Sequence, residues 1–268
     1  MTRFTARPEH GVAWVTGASS GIGRALALRL AAEGFTVVVT ARGHDRLVSL
    51  QQEATGPGRI IVLDGDVTDA RDMERVISAI EYEHGSLALA VLNAGVYLPV
   101  DGEALDRTAF ETTFSVNLGG VVNCLVPAVA HMKARGKGQI AIVSSVTGYG
   151  GLPTSAAYGA TKAALINMAE SLKFDFDRMG IRLQVVNPGF VDTPATEKNS
   201  FAMPALVSPA DAARRIVAGL AAPGFEITFP RRFTFVLKLL RFLPYGLYFP
   251  LVARATGWNR RPARDARS

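Results

Sequence analysis

Short apolar runs rich in β-branched residues alternate with amphipathic helical patterns along most of this 268-residue chain. A continuous apolar run indicates a strand buried on both faces, as in a parallel sheet covered by helices. Six runs meet this description, at 12–16, 36–40, 60–63, 89–92, 140–144 and 181–186. Because strand and helix patterns alternate, the sequence predicts an α/β fold with a doubly wound parallel sheet.

Composition favours one domain, because a chain of 268 residues that is 49% hydrophobic can bury one large core. We place this domain at residues 1–230 and a C-terminal extension at 231–268. The single cysteine, Cys124, excludes an internal disulfide and is typical of a small buried residue. The four histidines lack ligand spacing, so we expect no metal site. No secretory signal is visible, and we expect a cytoplasmic protein.

The net charge of +6 is unevenly distributed. Residues 231–268 carry nine basic side chains and one acid, a charge of +8, so the preceding 230 residues sum to −2. Basicity therefore belongs to the extension and not to the domain. This distribution argues against nucleic acid as a partner.

A glycine-rich turn stands between the first predicted strand and a helix predicted over 22–33. It reads Thr16-Gly17-Ala18-Ser19-Ser20-Gly21-Ile22-Gly23. Glycines permit a tight turn and the close approach of a phosphate, while amides at the helix start converge on it. An isolated turn of this kind is more often an ordinary loop. Its position at a strand-to-helix junction favours dinucleotide binding in a Rossmann-like sheet.

Tyr158 and Lys162 lie four residues apart in a predicted helix and therefore share one of its faces. The ammonium beside the phenol would favour the phenolate and lower the pKa of Tyr158. A shift from about 10 to about 7 requires roughly 4 kcal/mol of differential stabilisation. Most pairs with this spacing are solvated helix faces, so the weight of this pair comes from the surrounding motifs.

Those motifs, taken together, resemble the short-chain dehydrogenase/reductase family over roughly residues 11–221. The resemblance rests on the glycine turn and on several later motifs in the family's order: Asp66-Val67, Asn93-Ala94-Gly95, Asn117, Ser145, Tyr158 with Lys162, and Asn187-Pro188-Gly189. It implies a single-domain oxidoreductase that interconverts a ketone and a secondary alcohol by hydride transfer. It also implies a homodimer or homotetramer.

The resemblance implies four catalytic residues. Tyr158 would be the general acid in reduction and the base in oxidation, and Lys162 would lower its pKa and hold the nicotinamide ribose. Ser145 would orient the substrate oxygen, and Asn117 would hold a water in a proton relay. For Ser144 we expect a side chain that faces away, because neighbours on a strand alternate faces.

The cofactor-binding residues that the motifs and the resemblance imply are Gly17, Ser19, Ser20, Gly21, Ile22, Gly23, Arg42, Asp66, Val67, Asn93, Ala94, Gly95, Tyr158, Lys162, Pro188, Gly189, Val191 and Thr193. Asp66 would contact the adenine. Pro188, Gly189 and Thr193 would form the turn beside the nicotinamide, although glycine and proline mark turns anywhere.

The end of the second predicted strand indicates NADP(H) as the cofactor. An NAD-selective fold places an acid here, about 20 residues beyond the glycines, to bind the ribose 2′-hydroxyl. The chain has Ala41 at that position and Arg42 after it. An acid at this position would repel the 2′-phosphate of NADP. Arg42 can instead bind that phosphate through two hydrogen bonds, and Arg46 can assist. The alternative for Arg42 is a solvated surface side chain.

Residues 194–207 look like a mobile substrate loop. Its charged residues are Glu197 and Lys198, and they do not indicate an acidic or phosphorylated ligand. We expect the apolar wall of the substrate site to be formed by Phe190, Phe201, Met203, Leu206 and Val207. This favours a lipophilic ketone such as a 3-oxoacyl chain, a steroid-like ring or an aryl ketone.

Residues 225–257 contain too many large apolar side chains for a solvated tail. Charges and prolines interrupt them, and the longest uncharged run, residues 242–253, is far shorter than the roughly 20 residues that a helix needs to span a bilayer. One interpretation is a lid over the cleft or a contact with another subunit. The other is peripheral membrane association, with aromatic residues at headgroup depth flanked by arginines.

The sequence leaves two alternative functions open. The first is a noncatalytic nucleotide-binding regulator or scaffold on the same fold. The presence of Asn117, Ser145, Tyr158 and Lys162 counts against it, because a noncatalytic protein has no physical need for all four. The second is a membrane-surface protein that acts through its tail, which is compatible with enzymatic activity.

Overall fold

All six predicted strands form in one parallel sheet, and a seventh joins them. The computed structural model describes residues 4–196 and 203–261. Within these residues the sheet has the order β3-β2-β1-β4-β5-β6-β7. The strands are β1 Val12–Thr16, β2 Thr36–Thr40, β3 Arg59–Val62, β4 Leu87–Leu92, β5 Gly138–Val143, β6 Ile181–Pro188 and β7 Glu226–Phe229. The strand order reverses between β1 and β4, where a doubly wound sheet opens a crevice at the carboxyl ends of its strands.

Helices cover both faces of the sheet. They are α1 Gly21–Ala32, α2 His44–Glu53, α3 Ala70–Ala79, α4 Arg107–Phe114, α5 Gly120–Arg135, α6 Ala156–Arg178, α7 Pro209–Ala221, α8 Arg231–Leu240 and α9 Tyr245–Ala255. Trp14 and Val38 pack towards α3, α5 and α6, whereas their neighbours Val15 and Val37 pack towards α1, α2 and α7. This alternation explains why the central strands are apolar at every position. Cys124 is buried, as predicted, in the core between the sheet and helices α3, α5 and α6.

Side chains cap the starts of α3 and α7. Asp69 caps α3, since its carboxylate accepts hydrogen bonds from the amides of Arg71 and Asp72. Ser208 caps α7 through the amide of Asp211, and Pro209 takes the first helical position.

The seventh strand corrects the boundary of the apolar C-terminal segment. Glu226–Phe229 pairs in parallel with β6, so the segment drawn at 225–257 begins inside the sheet. The strand is short and half-buried at the sheet edge, with buried and partly exposed residues alternating. The extension proper forms α8 and α9.

A continuous helix runs from Arg107 to Arg135, through α4, a π-helical turn at Ser115–Gly119 and α5. Among the described residues it is the one helix long and apolar enough to cross a membrane. Of its most apolar stretch of 18 residues, 39% is buried inside the protein. It packs against α3, β4 and β5 as a core helix of the domain. Its π-helical turn carries Asn117, and such turns are frequent at functional sites.

Candidate active site

The glycine-rich turn connects β1 to α1 and could not be built from other residues. Gly17 has φ of +66°, and a Cβ atom there would lie 2.7 Å from Cα of Ala94. A Cβ atom on Gly23 would lie 2.4 Å from the carbonyl oxygen of Gly17. Real Cβ atoms do not approach backbone this closely, so the sequence needs glycine at both positions.

The start of α1 offers hydrogen-bond donors to the crevice. Ser20 is the N-cap residue, yet its side chain makes no capping bond with the first-turn amides. Gly21, with φ of +56°, lies against Thr193 on the opposite wall. The amides of this turn and the positive end of the helix dipole therefore suit an anionic group such as a pyrophosphate.

The adjoining cleft has a volume of about 590 Å³. It is lined by most of the predicted cofactor residues: Gly17, Ser19, Ser20, Gly21, Ile22, Arg42, Asp66, Val67, Asn93, Ala94, Gly95, Tyr158, Lys162, Pro188, Val191 and Thr193. Ser145 lines it as well. Three predicted site residues, Gly23, Asn117 and Gly189, lie behind the wall and shape it. A cleft of this size, with helix-start amides in the middle and two arginines at one end, fits a dinucleotide.

Asn93 lines the cleft, and its side chain also holds the glycine turn in place. Its side-chain nitrogen donates to the carbonyl oxygens of Thr16 at 3.0 Å and Gly17 at 3.3 Å. The Thr16 hydroxyl accepts from the amides of Asn93 and Ala94. These bonds join the ends of β1 and β4 across the point where the strand order reverses.

The end of the cleft beside the carboxyl end of β2 contains Arg42, Arg46 and Asp66, and this is the end where the adenine was predicted. The Asp66 carboxylate accepts hydrogen bonds from the amide and hydroxyl of Thr68 at 2.9 and 2.8 Å. The guanidinium of Arg42 stands 3.9 Å from Asp66 and is 74% exposed. An ion pair this long and exposed is weak, so Arg42 is available to another anion.

The turn after β6 forms the far wall. The Gly189 amide donates to the Phe229 carbonyl at 2.8 Å, which anchors this turn to β7. Val191 bridges to Val207, and the amide of Thr193 donates to the Thr196 hydroxyl at 3.0 Å.

A second cavity of about 70 Å³ opens beside the cleft. Ser145 and Tyr158 line both cavities. The Ser145 hydroxyl accepts a hydrogen bond from the Thr147 amide at 3.2 Å and lies near enough to the Tyr158 hydroxyl to lower its pKa. The two residues therefore lie where the cleft meets the small cavity. A group transferred between a molecule in the cleft and a molecule in the cavity would pass beside them.

Lys162 reaches the junction from α6, one turn beyond Tyr158. It is 3% exposed, and its ammonium donates to the Val143 carbonyl at 2.8 Å and lies 5.4 Å from the centroid of the Tyr158 ring. The Ser144 hydroxyl donates to the Lys162 carbonyl at 2.7 Å. Ser144 thus holds the helix, but it also lines the cleft, and the prediction that its side chain faces away from the site stays a prediction.

Asn117 lies behind Gly95 and organises the loop after β4. Its amide oxygen accepts from the Val96 amide at 2.7 Å, and its nitrogen donates to the Val96 carbonyl at 2.9 Å and the Thr161 hydroxyl at 3.2 Å. A Cβ atom on Gly95 would lie 3.3 Å from the Asn117 oxygen and 3.6 Å from the Lys162 ammonium. The predicted water-binding role of Asn117 stays a prediction.

Comparison with known proteins identifies the family. A sequence model of the family described as short chain dehydrogenase matches residues 11–203. The chain belongs to the short-chain dehydrogenase/reductase family. It is 34% identical over 244 residues to an uncharacterized oxidoreductase of Myxococcus xanthus, covering 91% of this chain and 96% of that protein. It is 35% identical over 193 residues to a 3-oxoacyl-[acyl-carrier-protein] reductase of Thermotoga maritima, covering 72% and 78%.

A solved structure agrees with this assignment. Actinorhodin polyketide ketoreductase, crystallised as a variant with NADPH, superposes with a TM-score of 0.74 at 27% sequence identity. The match covers 84% of this chain and 97% of the ketoreductase. The protein is therefore an oxidoreductase of the short-chain dehydrogenase/reductase family with the expected Rossmann-like fold.

The proton chemistry of this dehydrogenase site differs from the sequence prediction in one respect. Burial raises the pKa of Tyr158 to about 12, against a smaller lowering by the hydrogen bond with Ser145. Burial also lowers the pKa of Lys162 to about 8. The predicted lowering of the Tyr158 pKa is wrong for this structure, because desolvation disfavours the phenolate and the ammonium is bonded to Val143 instead.

Several residues of the dehydrogenase site carry no motif, and the sequence analysis missed them. The Tyr97 ring packs edge-on against Tyr158 with 5.2 Å between centroids, and its hydroxyl bonds with Thr154 at 3.0 Å. Leu152 and Thr147 line the small cavity. The Thr147 hydroxyl is buried without a hydrogen-bond partner among the described residues. Only the position of Tyr97, two residues beyond the Asn93-Ala94-Gly95 motif, could have signalled any of these.

The predicted apolar wall needs correction. Phe190 lines the small cavity, but Met203, Leu206 and Val207 do not. Val207 is held by the bridge to Val191, and Leu206 is 44% exposed. Glu197, Lys198 and Phe201 lie outside the described residues.

Proposed function

We propose that this protein is an NADP(H)-dependent oxidoreductase that interconverts a lipophilic ketone and a secondary alcohol. The observation that carries the proposal is the placement of the Ser145 and Tyr158 hydroxyls at the junction of the dinucleotide cleft and the small cavity. A carbonyl oxygen gains negative charge as its carbon is reduced, and two hydroxyl donors aimed at one point stabilise that charge.

Each side chain has a distinct part in the reaction. The nicotinamide cofactor supplies or accepts the hydride when it is bound. Ser145 donates a hydrogen bond to the substrate oxygen and orients it. Tyr158 transfers its phenolic proton to that oxygen in reduction and takes it back in oxidation. The positive charge of Lys162, 5.4 Å from the centroid of the Tyr158 ring, offsets part of the cost of a buried phenolate on Tyr158 after the proton transfer.

The charge balance at the adenine end supports NADP(H). Ala41 stands where an NAD-selective fold carries an acid, and Arg42 and Arg46 line the same end of the cleft. The exposed guanidinium of Arg42 has only a weak ion pair with Asp66 to give up. A 2′-phosphate provides two oxygens for bidentate hydrogen bonds with this arginine.

The walls of the small cavity support a lipophilic substrate with a polar atom besides its carbonyl oxygen. Leu152, Phe190 and Val146 provide apolar surface, and the buried Thr147 hydroxyl provides one unpaired polar atom. A 3-oxoacyl chain has both features, and the Thermotoga maritima relative is named for that substrate. Steroid-like and aryl ketones remain in the same class.

The test is a turnover screen of carbonyl compounds with NADPH and NADH in parallel. We expect reduction of at least one lipophilic ketone, with NADPH preferred. Arg42→Ala should weaken NADPH binding by about 1.5 to 3 kcal/mol, the size of a lost charge-assisted contact, and leave NADH binding nearly unchanged. Arg59→Ala, on an exposed residue outside the cleft, is the matched control. Equal wild-type affinities for the two cofactors would contradict NADP(H) preference, and absence of turnover would favour the noncatalytic alternative.

A further inference from the structure

The C-terminal extension exposes more large apolar side chains than a monomeric surface ordinarily does. The helices α8 and α9 and the turn between them form what we call the apolar hairpin, residues 231–255. Its exposed apolar residues are Phe235, Val236, Leu239, Phe242, Tyr245, Leu247, Phe249 and Leu251. Phe242, in the turn, is 82% exposed and Tyr245 is 77% exposed. Eight exposed apolar side chains within one hairpin mark an interaction site.

Helix α9 is apolar on almost all sides, yet only one stripe of it is covered. Tyr248 and Val252, four residues apart, face the domain and are buried. Leu247, Phe249 and Leu251 face outward between them. A helix that is hydrophobic all round is normally buried all round, so the outward faces of α9 need a covering.

The charges carried by the hairpin and by the residues that follow it, to residue 261, are all positive. Residues 231–261 contain no acidic side chain. Lys238 is paired with Glu226, and Arg261 is paired with Asp101. The exposed arginines that form no ion pair with another described residue are Arg231, Arg232, Arg241, Arg254 and Arg260.

We propose that the apolar hairpin docks on the surface of an anionic bilayer. Aromatic side chains flanked by arginines suit the boundary between headgroups and acyl chains, where apolar surface is buried and positive charge meets lipid phosphate. The hairpin lies on the bilayer and does not cross it, because α9 has 11 residues and is about 16 Å long, roughly half of the hydrocarbon thickness.

Charge and packing favour a lipid surface over the other two occupants considered for this segment. A second copy of the chain, joined through the same face, would bring two sets of unpaired arginines together, and like charges at an interface disfavour contact. A lid would have to bury its aromatic residues on the domain. Here the domain takes Phe233, Leu237 and Tyr248, and leaves the outward side chains uncovered.

The inner face of the hairpin packs beside the substrate cavity. Phe233 contacts Phe190 with 5.7 Å between ring centroids, and Phe190 lines the small cavity. The Tyr248 hydroxyl donates to the Gly151 carbonyl at 2.8 Å, next to the cavity residue Leu152. If the proposed function holds, docking therefore brings the cavity close to substrates dissolved in lipid. Membrane binding itself does not depend on that function.

The direct test is co-sedimentation of the full chain with vesicles. We expect binding to vesicles of phosphatidylglycerol and phosphatidylcholine at low salt, and at least tenfold weaker binding to pure phosphatidylcholine or at high salt. Failure to bind the anionic vesicles at low salt overturns the proposal, whatever the outcome of the turnover screen.

Two sets of substitutions separate the apolar and the charged contributions. Binding should fall at least tenfold in the triple variant Phe235→Ser, Phe242→Ser, Phe249→Ser. It should fall similarly in Arg231→Gln, Arg232→Gln, Arg241→Gln, since each arginine near an anionic surface contributes about fivefold. The matched controls change exposed residues elsewhere on the domain: Tyr82→Ser, Leu105→Ser, Phe174→Ser and, for charge, Arg59→Gln, Arg71→Gln, Arg107→Gln.

These substitutions have clear outcomes. Unchanged binding in the hairpin variants, or equal loss in the controls, contradicts the proposal. NADPH binding should be unchanged in all of them, which shows that each variant is folded. A hairpin variant that becomes monomeric from a wild-type oligomer without any vesicle binding assigns the face to a subunit contact and overturns the proposal.

Tryptophan fluorescence reports where the hairpin sits. The chain has two tryptophans, of which Trp14 is fully buried and Trp258 lies just beyond α9. In a Trp258→Phe background, Phe242→Trp places a probe at the most exposed point of the turn. We expect the emission of this probe to shift to shorter wavelength when anionic vesicles are added. We also expect brominated lipid to quench it. A bound protein whose probe shows neither change has docked by another surface.

Discussion

Removal of the Tyr158 hydroxyl tests the central assignment of the site. Tyr158→Phe keeps the ring and its edge-on packing against Tyr97, whose centroid lies 5.2 Å away, and takes away the transferable proton and the bond with Ser145. We expect kcat/KM for ketone reduction to fall at least about 100-fold, the lower end of the effect of a general acid. Loss of the neutral hydrogen bond alone accounts for only about 1 kcal/mol, or fivefold.

The pKa of Tyr158 adds a direction to this prediction. Burial raises it to about 12, so in the free protein at pH 7 only about one molecule in 10⁵ carries the phenolate. The acid needed for reduction is therefore present throughout the neutral range. The base needed for oxidation becomes more abundant as pH rises, and alcohol oxidation should accelerate towards alkaline pH. Burial lowers the pKa of Lys162 to about 8, so above that pH the free protein loses the ammonium near the phenol and reduction should decline.

Two measurements check this reasoning. Steady-state kinetics with NADPH give kcat/KM for the wild type, for Tyr158→Phe and for the control Tyr82→Phe, whose side chain is 82% exposed. Ultraviolet difference titration of the wild type against Tyr158→Phe follows ionisation of this one phenol. Retention of most activity by Tyr158→Phe would refute its role as the acid. A midpoint near pH 7 in the free protein would refute the dominance of burial.

Three further substitutions test the surroundings of the site. Gly23→Ala should destabilise the protein by about 1 to 3 kcal/mol or more through overpacking, seen as a lower thermal midpoint with weaker NADPH binding, because its Cβ would lie 2.4 Å from a carbonyl oxygen. Thr147→Val removes a buried hydroxyl that has no partner among the described residues, and it should raise the free energy of unfolding by about 1 kcal/mol. The KM for a substrate with a second oxygen atom should increase, while kcat should stay unchanged. Lys238→Met should cost about 1 kcal/mol at pH 7 in denaturant titrations, and the difference should shrink as pH falls through the lowered pKa of Glu226. A pH-independent difference would contradict the pairing.

The sign of the last effect follows from the pKa of Glu226. Burial raises it, but hydrogen bonds from Lys238, Tyr149 and Asn187 outweigh burial and leave the pKa below its usual range. The folded protein therefore favours the carboxylate. This stabilisation is present above the unfolded pKa and is lost as pH falls through the folded one.

The fold was predictable because its strands are buried on both faces. A run such as Val37 to Val39 is apolar at every position, since one neighbour faces α3, α5 and α6 and the next faces α1, α2 and α7. The glycine turn was predictable for a similar reason, because backbone contacts at Gly17 and Gly23 exclude every other residue. In both cases the constraint acts on residues that are consecutive in sequence.

The remaining features depend on contacts between distant residues. β7 has four residues and alternating burial, so it lacks the continuous apolar run that marked the other strands. Tyr97 and Thr147 reach the small cavity from separate segments of the chain, and neither belongs to a spacing pattern. The pKa of Tyr158 depends on how deeply the packed chain buries it, which the four-residue spacing to Lys162 does not encode. The predicted homodimer or homotetramer stays a prediction.

Glu226 joins the catalytic domain to its extension, although no motif marks it. Its carboxylate accepts hydrogen bonds from Tyr149 in the loop after Ser145, from Asn187 at the end of β6 and from Lys238 on α8. A half-buried acid of this kind is stable only while these partners stay in place. Displacement of α8 would therefore disturb two loops that border the active site. If the apolar hairpin docks as proposed, a surface that binds it would therefore be linked to the site through Glu226 and β7.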